Sequence, residues 1–163
     1  MKILVISNGC LTNNSSNGRT LLNLLNRFEE QDIMNIYSNN FGFDKNSKVN
    51  FVNVTDSQAL KAFISLGIKK PNGSVPIIEE NNSVSPSKGK SKTSFKMLVR
   101  NSIWSSYFWY GKSIKSKIKE FKPEVILLQV GDFPFHFKFA VKLAKKLNIP
   151  LVIYSSEDYS IKD

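Results

Sequence analysis

Residues 2–25 read KILVISNGCLTNNSSNGRTLLNLL, and the change of period inside this stretch decides the fold. KILVIS, at 2–7, is a short unbroken apolar run rich in β-branched residues, and Asn8-Gly9 closes it with a turn signal. A strand with no polar alternation is one buried on both faces, as in a parallel sheet. A polar loop follows at 10–17. From Gly18 the period changes: Leu21, Leu22, Leu24, Leu25 and Phe28 recur at helical spacing, which predicts an amphipathic helix over 18–30 with Ser16 or Asn17 as its N-cap.

Outward from this unit the same grammar repeats. IMNIYS at 33–38, VNFVNV at 49–54, EVILLQV at 124–130 and LVIY at 151–154 read as further strands. A helix is expected over 56–66, capped by Asp56, with Leu60, Phe63 and Ile64 on its buried side. A long helical pattern spans 93–121, with Gly111 as a break and Pro123 as the stop, and another covers 135–147. Between 67 and 92 the composition collapses into Pro, Gly, Asn, Ser and Lys, which predicts a long flexible loop. Strands alternating with helices in this order predict a three-layer α/β/α sandwich around a mainly parallel sheet, Rossmann-like in its winding. The 163 residues suit one domain. A doubly wound domain normally continues past a fifth strand, so the chain reads as truncated.

The net charge of +10 is unevenly placed. Residues 67–122 hold 12 Lys/Arg against 3 Asp/Glu, a net of +9, while 1–66 carry +1 and 123–163 balance. Such a segment suits an anionic partner met by one face, or else a solvated lysine-coated helix. No apolar run reaches the roughly 18 residues of a spanning helix, and 3–6 is too short for a signal-peptide core. A single cysteine, Cys10, forms no internal disulfide, which points to a reducing, cytoplasmic setting.

In open α/β sheets ligands bind outside the carboxyl ends of the strands. Three segments meet that rule: 7–19, 131–137 and 155–159. The first offers Asn17, Gly18 and Arg19 at a helix start, where backbone N–H groups and a guanidinium can hold an anion; a simple turn explains the glycine equally well. The second offers Gly131 and Asp132. The third offers Glu157 and Asp158, which could accept hydrogen bonds from sugar hydroxyls, act as a base, or cap a following helix. Neither G-x-G-x-x-G nor G-x-x-x-x-G-K-[ST] occurs, which argues against dinucleotide binding and nucleoside-triphosphate hydrolysis. One histidine, His136, and one cysteine cannot build a usual zinc set, so no metal site is expected. His136, among aromatics, reads as a packed surface or core residue rather than a catalyst, although its titration range would suit a catalytic role.

The opening 2–25, together with SIWSSYFWYGKSIKSKIKEFKPEVILLQVGD (102–132) and LAKKLNIPLVIYSSEDY (143–159), resembles the N-terminal, acceptor-side domain of GT-B type bacterial glycosyltransferases, group 1-like and retaining. The resemblance implies two Rossmann-like domains, with an active site in the cleft between them. This half would hold a polysaccharide, lipid-linked or other glycan acceptor. A C-terminal half, absent here, would hold most of a nucleotide-sugar that serves as donor substrate, with no other cofactor. It also implies that Asn17, Gly18 and Arg19 face the donor phosphates and the acceptor. Glu157 and Asp158 fall where many relatives place a histidine and an aspartate. Membrane-associated relatives dock through basic and aromatic residues. Trp104, Phe108, Trp109, Lys112, Lys115, Lys117 and Lys119 would then meet an anionic membrane surface on the inner face of the membrane. The alternative from a different class is a non-enzymatic, basic nucleic-acid-binding module. The helical spacing of the aromatics speaks for packing rather than base stacking, so no nucleic acid is expected.

Overall fold

The computed structural model describes residues 1–39, 46–71, 73, 94–131 and 134–155. Five strands, β1 (Ile3–Ser7), β2 (Ile33–Tyr37), β3 (Asn50–Asn53), β4 (Val125–Gln129) and β5 (Leu151–Tyr154), form one sheet. Their order is β3-β2-β1-β4-β5, and every neighbouring pair is parallel. The central strand β1 pairs Ile3 with Ile33 on one side and with Val125 on the other. Its five residues are all buried, as an unbroken apolar run requires.

Alternate residues of β1 feed two cores. Ile3 and Val5 pack with Leu11, Leu21 and Leu25 under α1 (Ser16–Leu24). Leu4 and Ile6 pack on the other face under α2 (Asp56–Ile64), α3 (Ser94–Ser105), α4 (Lys112–Phe121) and α5 (Pro134–Leu147). The chain is therefore an α/β/α Rossmann-like sandwich, thin on the α1 side. Among the described residues no helix is long and apolar enough to cross a membrane.

Several local expectations need correction. α1 starts at Ser16 and ends at Leu24; its N-cap is Ser15, whose side chain accepts from Gly18 N–H, and neither Ser16 nor Asn17 fills that role. α2 is capped by Thr55, with Gln58 completing a capping box, and Asp56 is its first helical residue. The buried face of α2 is Ala59 and Ala62, whereas Leu60, Phe63 and Ile64 are exposed. The single helix expected over 93–121 is two, separated where Tyr107 takes a left-handed φ of 57° and Gly111 opens α4. The flexible loop expected at 67–92 lies outside the described residues, apart from 67–71 and 73.

Candidate ligand site at the carboxyl edge of the sheet

Strand order reverses between β1 and β4, and the segments leaving both strands open a crevice there. The loop after β1 is anchored by a polar residue inside an otherwise apolar strand. Asn35 of β2, wholly buried, accepts from Leu11 N–H at 3.0 Å. It also donates to Ser7 Oγ at 2.9 Å, and Ser7 Oγ in turn donates to the Gly9 carbonyl at 2.6 Å. A buried amide satisfied this way fixes the β1–α1 loop against the sheet.

Gly18 is buried where α1 crosses that loop. A Cβ there would stand 2.5 Å from the Thr12 carbonyl oxygen and 2.7 Å from that of Cys10, so the glycine answers a packing demand. Arg19 donates from Nε and Nη2 to the Asn13 carbonyl, at 3.3 and 2.9 Å, and so staples the loop while staying exposed. Asn17 is exposed at the first turn of α1. The three residues thus lie together on the expected loop, with Gly18 in a structural role.

Across the crevice Ser38, just past β2, donates from Oγ to Asn8 Oδ1 at 3.1 Å. The same oxygen lies 3.2 Å from His136 Nε2, on the first turn of α5. With the one Ser38 hydrogen committed to Asn8, the geometry assigns the proton of this contact to His136 Nε2. Burial first, and the positive charge of Arg100 second, pull His136 down to about 3, so the ring is neutral at ordinary pH. Beside it opens a cavity of about 330 Å³, lined by Gln129, Gly131, Pro134, His136 and Lys138 among others. Gly131 reaches the site, with open space over its Cα. Asp132, Glu157 and Asp158 lie outside the described residues.

At the end of β3, Asn53 donates to the Asn39 carbonyl at 2.8 Å, and its buried Oδ1 has no partner among the described residues. Burial pushes the Cys10 thiol, next to Tyr37, up to about 12, so it stays protonated and is a poor nucleophile. The buried polar side chains described at the edge are hydroxyls, amides and one neutral imidazole, with the cations Lys138 and Arg19 exposed at its rim. They can donate to and accept from uncharged polar ligands. Asn8, Ser38, His136 and Asn53 were not singled out from the sequence as site residues. The usable signal was the presence of Asn35 and Asn53 inside otherwise apolar strands.

The aromatic–basic surface reading of 104–119 needs correction. Trp104 and Trp109 are each 2% exposed. Trp104 stacks on Phe135 with ring centroids 4.7 Å apart, and Trp109 meets Phe139 at 4.9 Å. The Trp104 indole N–H donates to Asp56, which also pairs with Arg100, so this tryptophan docks α3 on α2. Neither ring is available to lipid or to a nucleobase. Phe108 is half-buried, its ring centroid 6.2 Å from that of Phe63. Lys117 donates to the Gly73 carbonyl at 3.0 Å. Lys112, Lys115 and Lys119 remain exposed.

No protein-family model matches the chain, and neither does any curated protein or any solved structure.

Proposed function

We propose that this chain is the acceptor-side half of a GT-B type glycosyltransferase and that it binds glycan hydroxyls at the carboxyl edge of its sheet. The observation that carries the reading is the Asn8–Ser38–His136 hydrogen-bonded chain at the strand-order reversal, beside a cavity of about 330 Å³. Neutral donors and acceptors on rigid elements suit polyol recognition, since each sugar hydroxyl can both donate and accept. Gly131 leaves the mouth open for a ring to approach. On this reading Arg19 and the start of α1 face the phosphates of a nucleotide-sugar, and transfer needs a second, donor-binding domain.

The test is a two-dimensional NMR titration of the chain with a panel of mono- and disaccharides, and separately with nucleotide-sugars. Shifts are expected at Asn8, Gly131 and His136, with saccharide affinity weakened by roughly tenfold in Asn8→Ala, the loss of one well-made hydrogen bond. A panel that leaves these resonances unmoved, or moves only the opposite edge of the sheet, defeats the reading. The 163 residues alone are expected to transfer no sugar, and detectable transfer by the purified chain would show that no second domain is needed.

A further inference from the structure

α2 and α3 lie side by side on one face of the sheet and run the same way. Asp56, the first residue of α2, is met by Arg100 Nε and by the Trp104 indole N–H, each at 2.8 Å. Phe63, in the last turn of α2, meets Phe108 just past α3. The first turns of α3 therefore stand ahead of α2. Each helix keeps one face for the core, Ala59 and Ala62 on α2 and Trp104 on α3, and turns a second apolar face outward. On α3 that face is Phe95, Leu98 and Val99, and on α2 it is Leu60, Phe63 and Ile64. Phe95 and Ile64 are each 72% exposed, and Leu98 66%. Both triplets follow the i, i+3, i+4 spacing with which one helix packs on another. At a rise of about 1.5 Å per residue the two staggered rows, taken end to end, span about 25 Å, the length of a helix of roughly 16 residues.

Lysines border this stripe: Lys96 beside Phe95 and Lys61 beside Leu60, both exposed. No acidic residue occurs in 57–71 or 94–119. A second copy of the chain would set these lysines against their like. A partner with carboxylates along the rim of its apolar face would be drawn in and held in register. The stripe presents no Trp or Tyr, the side chains that mark a lipid interface. Its two-row spacing is instead that of a groove in which an amphipathic helix lies.

We propose that the outward faces of α2 and α3 dock a helix of another protein, apolar on one face and acidic along its flanks. The stripe uses no residue of the Asn8–Ser38–His136 chain, so this reading and the sugar-binding one can fail separately.

The test is fluorescence anisotropy of labelled 16-residue helical peptides titrated with the full chain. One peptide carries leucines at i, i+3, i+4 spacing flanked by glutamates, and a control carries the same leucines flanked by lysines. The glutamate peptide is expected to bind saturably and more weakly as salt is added, and the lysine control at least about tenfold more weakly. Ile64→Gln with Leu98→Gln should weaken the glutamate peptide by about tenfold or more. Both positions are exposed, so this variant should keep the wild-type circular dichroism spectrum. Lys61→Gln with Lys96→Gln should weaken it by roughly fivefold and flatten the salt dependence, and this pair tests the dock even if the first misfolds. Four results would overturn the proposal. The glutamate peptide could fail to bind at low salt, or bind no better than the lysine control. Binding could survive both pairs of substitutions. Ile64→Gln with Leu98→Gln could abolish a concentration-dependent dimer, which would assign the stripe to a second copy. The same pair could abolish cosedimentation with phosphatidylglycerol vesicles while peptide binding persists, which would assign it to lipid.

Discussion

Gly18 and His136 show how the crevice depends on single residues. At Gly18, α1 passes so close to the preceding loop that a methyl group would collide with the Thr12 and Cys10 carbonyls. Gly18→Ala should therefore destabilise the fold by about 2 kcal/mol through overpacking, read as a lower urea midpoint. An unchanged midpoint would mean that the loop yields without cost. His136 gives a pH signature. Unfolded, it takes up a proton near its ordinary 6.5; folded, it does so only near 3. Between those values the unfolded chain binds more protons, so stability must fall as pH is lowered through that window, by at most about 1.4 kcal/mol per pH unit. Urea midpoints measured across the window should slope in wild type and flatten in His136→Gln. Equal slopes in the two proteins would remove His136 as the source.

Individual elements show what the sequence disclosed and where it misled. β1 and β4 were the most legible strands, because a strand buried on both faces must be a short unbroken run, as ILVIS at 3–7 and VILLQ at 125–129 are. The inner face of α2 was not legible. Reading the bulkiest apolar residues as buried favoured Leu60, Phe63 and Ile64, yet Ala59 and Ala62 face the core, as a closely approaching helix demands small side chains. The break between α3 and α4 was hidden for a related reason: Tyr107, with no composition signal, holds a left-handed conformation. The crevice was half legible. The loop after β1 announced itself by composition, whereas Ser38 and His136 are 98 positions apart and meet only through the strand order. Two tethers can be tested. Thr55→Ala should cost about 1 kcal/mol as a lost N-cap. Asn35→Ala should cost about 1–3 kcal/mol and speed hydrogen exchange at Leu11, whose N–H it leaves without its acceptor. A protected Leu11 amide in that variant would show that the loop holds its place without Asn35.

Across the whole molecule, stability and charge are both graded. β1 is buried throughout and paired on both sides, whereas β5 is an edge strand with Val152 and Ile153 at 50% and 51% exposure. Native-state hydrogen exchange should therefore rank β1 and β4 as the slowest segments and β5 as faster by about tenfold or more. Uniform protection across the sheet would contradict that grading. The charge runs along a different axis: the segment 67–122 holds a net +9, and 123–163 none. A body so unevenly charged carries a permanent electric dipole and feels a torque in any external field. It should bind a cation-exchange bead at neutral pH and leave it as salt is added, since 23 Lys/Arg outnumber 13 Asp/Glu.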